Sequence, residues 1–263
     1  MIRVDNLVKK FGDLTAINDV SFEVATGEIF AFLGPNGAGK TTTIKVLTTL
    51  LRPTAGRVEV DGLDPSVHAH EVRQRFGIVF QDASLDGELT AAENMEIHGV
   101  IYHVPRKVRV TRTEQLLRQF ELWDRRKDQA KKFSGGMKRR LEIARALLHT
   151  PKILFLDEPT LGLDPQTRNQ LWTQVKHLNQ TEKVTVFLTT HYMEEAERVA
   201  ERIAIIDHGR IVAQGSPDQL KEQTGTPTLE GAFLSLTGST IRDEAGSSKD
   251  QMRQFAKLWS NRR

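Results

Sequence analysis

The stretch Gly34-Pro35-Asn36-Gly37-Ala38-Gly39-Lys40-Thr41-Thr42 decides how the rest of the chain is read. Its first eight residues fit the phosphate-loop pattern G-x-x-x-x-G-K-[ST] at every fixed position. The residues before it, Glu28-Ile-Phe-Ala-Phe-Leu33, form an apolar run that predicts a buried strand. After it, Ile44, Leu47, Leu50 and Leu51 fall at helical spacing, which predicts a helix over 41–51. Strand, glycine-rich turn and helix are the context that this motif requires. Glycines let the backbone close round a phosphate with its N–H groups pointing inward. The helix N-terminus adds partial positive charge. In this reading Lys40 reaches the β- and γ-phosphates and Thr41 holds Mg²⁺. The alternative is a glycine-rich turn that binds nothing, and the strand and helix on either side weigh against it.

Composition narrows the class. The chain has 263 residues, enough for one large domain or two small ones. The net charge of +3 is mild, whereas a nucleic-acid binder calls for a concentrated basic face, so no nucleic-acid partner is expected. There is no cysteine, which excludes disulfides and thiolate metal sites. Met1-Ile-Arg-Val-Asp-Asn6 lacks the apolar core of a signal peptide. No apolar run approaches the roughly 18 residues that a membrane span needs. The chain itself is expected to be soluble, with any membrane crossing left to another protein.

Taken in order, residues 1–33 alternate in the β manner, with short strands expected at Ile2–Val4, Leu14–Ile17 and Val20–Val24 and turns at Gly12 and Gly27. Phe11 falls between two of these strands. It reads either as a core aromatic or as a ring free to stack on a base. Arg57–Val60 and Phe76–Phe80 are further strands, the second closed by Gln81, a strand-end cap or a ligand contact at the carboxyl end of a sheet strand. Over residues 82–150 strand signals give way to helical patterns at Thr90–Tyr102, Val110–Leu122 and Lys138–His149, as for an inserted helical subdomain. Ahead of the last lies Phe133-Ser134-Gly135-Gly136-Met137. Ser134 is placed to cap a helix whose first turn is read as Lys138-Arg-Arg140. Basic residues there oppose the helix dipole, which points to a docked anion or else to a plain solvated turn.

Lys152-Ile-Leu-Phe-Leu-Asp157-Glu158 is a buried strand that delivers two acids at its carboxyl end. Adjacent like charges repel, so a purely structural strand seldom ends this way. Gly162-Leu-Asp164-Pro165 is a turn leading into a helix through Leu178. Val184–Thr189 is another buried strand, with His191 just past its end. Ile203–Asp207, His208-Gly209 and Arg210–Ala213 predict a hairpin. Residues 228–236 suit one helix, and 239–248 a polar linker. Met252, Phe255, Ala256 and Trp259 at i, i+3, i+4 and i+7 predict an amphipathic helix over about 249–260.

With these motifs in hand, the chain resembles the ATP-binding cassette ATPases, the nucleotide-binding subunits of ABC transporters, from about residue 2 to 236. The resemblance implies a P-loop NTPase fold of α/β class. A mixed core sheet is joined by an N-terminal antiparallel β subdomain and an inserted helical signature subdomain at about 82–150. It implies an ATPase domain over 1–224 and an extension over 225–263. By position, Phe11 matches the aromatic that stacks on adenine, usually tyrosine in the family. Gly34, Pro35, Asn36, Gly37, Ala38, Gly39, Lys40, Thr41 and Thr42 match the phosphate loop. Gln81 matches the glutamine that senses Mg²⁺ and touches the membrane partner. Asp157 matches the acid holding Mg²⁺ through water, Glu158 the general base, and His191 the histidine on the γ-phosphate. Ser134, Gly135 and Gly136 match the signature that contacts ATP on an opposite subunit, with Asp164 in the adjoining loop. Phe133 and Met137 replace the family's usual Leu and Gln, while the contacting Ser-Gly-Gly is intact.

Local stretches are similar to daunorubicin-resistance-type exporters: Val79-Phe-Gln-Asp-Ala-Ser-Leu-Asp86, Leu89-Thr90, Glu93-Asn94, Phe133 to Leu147, and Leu229 to Thr237. They imply export of a hydrophobic or drug-like compound through a separate transmembrane permease. The partners implied are ATP with Mg²⁺, a second ABC subunit that is expected to be identical, and that permease, which would hold this chain peripherally at the cytoplasmic side of the cell membrane. Lipid or polysaccharide export, import and non-transport ABC proteins are the alternatives within the family. A P-loop kinase or GTPase fits less well, because neither explains the signature stretch or the Asp157-Glu158 pair.

Overall fold

Residue alternation along a strand tells whether one face or both faces are buried, and both kinds of strand occur here. The computed structural model describes residues 1–238. Ile2–Phe11 (β1) and Leu14–Val24 (β2) alternate buried and exposed positions. With Ala55–Val60 (β4) they form a three-stranded antiparallel sheet in the order β2-β1-β4. Ile2 lies opposite both Val24 and Val60, and Val4 opposite Phe22 and Val58. The three short strands expected at the N-terminus are thus two long ones. They are bent at Asn6 and Asp19, whose φ angles are 49° and 61° and whose side chains are joined at 2.8 Å. The bulge breaks the alternation on which the sequence reading relied.

Ile29–Leu33 (β3), Ile153–Asp157 (β6) and Thr185–Thr190 (β7) are buried at every position. Phe76–Val79 (β5), Arg202–Asp207 (β8) and Arg210–Gly215 (β9) complete a six-stranded sheet in the order β5-β6-β7-β3-β8-β9. Only β9 runs antiparallel to its neighbour. Phe30 and Phe32 of β3 face the small sheet, while Ile29, Ala31 and Leu33 face the other side. The ring of Phe22 from β2 stacks on Phe30 at 5.6 Å and also meets Phe32 and Phe187 of β7. This ring cluster joins the two sheets, and truncating one such buried ring to alanine costs about 3–5 kcal/mol. Glu28, expected to start β3, lies just outside it. It is 6% exposed and paired with Arg202 at 2.5 Å.

The helices are Lys40–Leu47 (α1), Ala69–Arg75 (α2), Ala91–Ile101 (α3), Arg106–Gln119 (α4), Gly135–Ala146 (α5), Pro165–Glu182 (α6), Met193–Val199 (α7), Pro217–Thr224 (α8) and Leu229–Thr237 (α9). α1 stops before Leu50 and Leu51 because Thr49 turns left-handed at φ 67°. α4 begins one turn earlier than its apolar residues show. α2, α7 and α8, which the sequence reading did not contain, have seven or eight residues each, too short to display a helical period. α8 nevertheless carries a full start signal, Ser216-Pro217 with Gln219 in a capping box. α3, α4 and α5 fill the expected helical insertion between β5 and β6. α9 buries Leu229 and Ala232 in the main core. The amphipathic stretch at 249–260 lies outside the described residues. Among the described residues no helix is long and apolar enough to cross a membrane.

Where α3, α5 and β5 meet, His98, Tyr102 and His149 form a ring cluster. Tyr102 stacks on His149 at 3.9 Å, and His98 lies 4.5 Å from Tyr102. His149 Nε2 is 2.9 Å from the Phe76 carbonyl oxygen. Burial first, then the nearby Arg145 cation, pushes His98 down to about 3. Burial likewise pushes His149 down to about 4. Both rings are therefore neutral in the fold. In the unfolded chain each takes up a proton as pH falls below about 6.5. Stability is fully present above that value and is lost as pH falls toward the folded values. Each ring should cost up to about 2 kcal/mol of stability between pH 7 and pH 5. Thermal melts over that range should show a falling midpoint, and His98→Leu should flatten the slope. An identical slope in a folded His98→Leu protein would remove His98 as a source.

Candidate active site

The core sheet is parallel from β5 to β8, so the carboxyl ends of its strands open on one side, where ligands of open α/β sheets bind. β3 delivers the phosphate loop there, β6 delivers Asp157 and Glu158, and β7 delivers Thr190 and His191. The register makes these neighbours: Leu33 pairs with Thr190, and Asp157 with Thr189. Gly34 packs so closely on β8 that a Cβ there would sit 2.4 Å from the Ile206 carbonyl oxygen. Gly39 has φ 115°, and its own Cβ would lie 2.8 Å from the Ala16 carbonyl oxygen. The loop is thus shaped by β2 and β8 as well as by its own glycines.

Lys40 opens α1 and is 7% exposed. Its ammonium donates to the Gly34 carbonyl at 2.6 Å and the Pro35 carbonyl at 3.3 Å. Glu158 Oε1 lies 4.0 Å away. Burial holds the Lys40 ammonium below its usual range, opposed by Glu158 and Asp157. Asp157 is 2% exposed. Burial raises its carboxyl above the usual range, opposed by the Thr189 hydroxyl, which donates to it at 2.6 Å. The Glu158 backbone is left-handed at φ 49°. Its N–H is held by both the Thr189 carbonyl and the Thr189 hydroxyl at 3.1 Å, the kind of surrounding that keeps a strained residue in place. The other carboxylate oxygen of Glu158, Oε2, is 2.8 Å from His191 Nδ1, and the His191 ring rests on Tyr192 at 4.1 Å. Lys40, Asp157, Glu158 and His191 therefore converge in space. Thr189 ties them together and was missed, since a threonine closing a buried strand carries no local signal of its role.

Thr41 lies exposed in the first turn of α1, and Thr42 is half-buried beside it. Thr41, Asp157 and the Gln81 side chain offer hard oxygens, the donor set that suits Mg²⁺. Among the described residues no group of three or more His, Cys, Asp or Glu is placed to hold a metal. Phe11 ends β1 at the tip of the hairpin whose Ala16 touches the phosphate loop. It is half-buried and belongs to neither core cluster, so the core-aromatic alternative fails. The Lys9 ammonium lies 4.9 Å from its ring centre. Gln81 is exposed just beyond β5.

Ser134 caps α5, accepting from Met137 N–H at 3.2 Å. The first turn is Gly135-Gly136-Met137, not Lys138-Arg-Arg140 as expected. Nor do the two arginines await an anion. Arg139 is 7% exposed and faces inward on Glu142, and Arg140 bonds Glu121 at 2.8 Å. Gly136 is required by packing, since a Cβ there would sit 2.3 Å from Thr167 Cγ2 of α6. Asp164 caps α6, accepting from the Thr167 N–H at 2.9 Å and the Thr167 hydroxyl at 2.6 Å. No hydrogen bond or ion pair among the described residues joins Ser134, Gly135, Gly136 or Asp164 to the Lys40 cluster.

The ABC transporter family model matches residues 17–161. The chain is 43% identical over 252 residues to a daunorubicin resistance ATP-binding protein of Streptomyces coeruleorubidus, covering 91% of this chain and 79% of that one. It is 40% identical over 243 residues to a linearmycin resistance ATP-binding protein of Bacillus subtilis (strain 168), covering 92% and 76%. Its fold is similar, at a TM-score of 0.74 and 29% identity, to a dimeric ATP-binding cassette bound to ADP and Pi in a post-hydrolysis state, covering 82% of this chain and 98% of that one. A phosphate loop, two acids and a histidine at adjacent strand ends, together with these likenesses, place the chain in the ABC transporter family as an ATP-hydrolysing subunit of the drug-exporter type.

Proposed function

We propose that this subunit drives export of a hydrophobic or drug-like compound through a separate membrane permease, working on its cytoplasmic side as one half of a cassette pair. The resistance proteins it resembles support the substrate class. The buried Lys40–Glu158 pair, with the exposed His191 on the second carboxylate oxygen of Glu158, carries the catalytic reading. Incoming phosphates offer Lys40 charged acceptors in place of the neutral Gly34 and Pro35 carbonyls, and charge-assisted bonds are about twice as strong. Glu158 is the base that takes the proton of the attacking water, its backbone fixed by Thr189 and its carboxylate oriented by His191. Catalysis in this class is chiefly positioning and charge stabilisation. Thr41, Gln81 and Asp157 would hold Mg²⁺, which supplies charge neutralisation at the phosphates. Phe11 takes the adenine ring, and the lost tyrosine hydroxyl leaves stacking intact. Ser134, Gly135, Gly136 and Asp164 serve the partner cassette's ATP, since the chain carries a single phosphate loop and a single signature stretch.

The export reading is tested by expressing the chain with its co-encoded membrane protein and measuring resistance to a panel of hydrophobic drugs. Resistance that survives Glu158→Gln would refute it. Phe11→Ala should weaken ATP binding by about 1–3 kcal/mol, the worth of base–aromatic stacking, while Phe11→Tyr is tolerated. Titration with a fluorescent ATP analogue checks this, and unchanged affinity in Phe11→Ala would remove the assignment.

Replacing the base should expose the pairing. Glu158→Gln should bind ATP, slow hydrolysis by about 10²–10⁴-fold and accumulate as an ATP-dependent dimer. Lys40→Ala should bind ATP poorly and remain a monomer. Ser134→Arg should bind ATP as a monomer and fail to pair. Mixing Lys40→Ala with Ser134→Arg permits one composite site with every part intact, so hydrolysis should partly return. Full activity from a strictly monomeric wild type, independent of protein concentration, would overturn the shared site.

A further inference from the structure

α5 presents Arg139, Glu142 and Arg145 at i, i+3 and i+6, along one face. All three side chains turn onto the backbone of residues 80–84, the loop that carries Gln81. Arg139 donates to the Phe80 carbonyl at 2.6 Å, to the Gln81 carbonyl at 2.9 Å and to Glu142 Oε2 at 3.0 Å. Glu142 Oε1 accepts from the Ser84 N–H at 2.6 Å. Arg145 donates to the Ser84 carbonyl at 2.8 Å and also reaches the Ser84 hydroxyl. Arg139 is 7% exposed and Glu142 2%. An ion pair buried this deeply is held only where geometry and extra hydrogen bonds compensate its desolvation, and here the loop backbone supplies those bonds. The planar guanidinium fork lets Arg139 hold two successive carbonyls and Glu142 at once from a pre-organised set of donors.

The same helix begins at Ser134, and Gly136 in its first turn packs on Thr167 of α6. Loop 80–84 and the Ser134–Gly136 turn are therefore attached to one rigid element, the loop by charged side chains and the turn by its own backbone. We propose that Arg139, Glu142 and Arg145 form a clamp that fixes Gln81 relative to the signature turn, so that the two sites move as one piece during the ATPase cycle. These are positioning residues. None bonds to Lys40, Asp157, Glu158 or His191. The proposal rests on the ATPase reading above, because it assigns the clamp a role in hydrolysis by the paired subunits.

The test uses the full chain carrying Arg139→Gln, Glu142→Gln or Arg145→Gln. Three measurements are made: affinity for a fluorescent ATP analogue, steady-state hydrolysis against ATP and Mg²⁺ concentration, and amide hydrogen exchange of segments 80–86 and 133–137. ATP affinity should stay within about twofold, because the phosphate loop and Phe11 are untouched. Exchange of the Ser84 amide should quicken at least tenfold in Glu142→Gln and Arg139→Gln. kcat should fall tenfold or more with KM for ATP little changed. In wild type, ATP with Mg²⁺ should alter exchange in both segments together, and in Arg139→Gln only in one. Faster loop exchange with kcat within twofold of wild type would make the clamp merely structural and overturn the proposal. So would unchanged loop exchange in folded variants. The double substitution Arg139→Met with Glu142→Met leaves neither charge buried alone. If it regains the melting temperature but not the rate, positioning is separated from stability. If it regains both, the clamp is refuted. A wild-type chain that binds ATP and never hydrolyses it would count against the ATPase reading itself, not against the clamp.

Discussion

The parallel register of three fully buried strands governs this protein. β6, β7 and β3 lie side by side, and their residues point alternately into two separate cores. A slip of one residue in any of them would exchange the two faces and place every side chain in the wrong core. The register that satisfies both cores also sets Asp157 beside Thr189, and Thr190 beside Leu33. Packing and chemistry are thus fixed by one arrangement. The aromatic cluster of Phe22, Phe30, Phe32 and Phe187 holds one face, and the helices hold the other.

That arrangement buries charge that water would otherwise solvate. Lys40, Asp157 and Glu158 are each less than a tenth exposed. An isolated buried ion is costly, and the cluster offsets that cost by mutual attraction and by hydrogen bonds to Gly34, Pro35 and Thr189. The compensation is partial, since burial displaces both Lys40 and Asp157 from their usual ionisation ranges. A triphosphate brings charge that Lys40 in this cluster can meet. Charges and hydrogen bonds held in place by the fold contribute to catalysis without reorganisation at the reacting step.

The helical insertion is fastened at two places to parts of the fold that carry chemistry. Gly136 packs on Thr167, which Asp164 caps. Arg139, Glu142 and Arg145 grip the loop after β5. A glycine in a signature is easily read as a backbone contact for a phosphate. Here Gly136 has a second reason to lack a side chain, because α6 occupies the space. Asp164 has an equally local task as a helix cap, which coexists with any contact across a dimer.

The sequence by itself determined the fold class, the phosphate loop, the acid pair and the terminal histidine. Each is a local pattern: glycines at set intervals, an apolar run ending in two acids, a histidine after a buried strand. It also marked residues 82–150 as helical, because a 3.6-residue period is visible over ten or more positions. What it did not carry was long-range. Thr189 matters only because register sets it against Asp157, 32 residues away in the chain. Lys138-Arg-Arg140 reads as an anion dock or a solvated basic turn until the fold lays Arg139, together with Glu142, on loop 80–84. Phe11 remained open between core and surface until the hairpin placed it outside both clusters. The bulge at Asn6 and the short helices α2, α7 and α8 were hidden for a different reason, since one break in alternation or two helical turns gives too few residues for a period to show. Motifs are legible where neighbouring residues make them. Contacts between distant segments are decided by packing, and only the tertiary structure contains that.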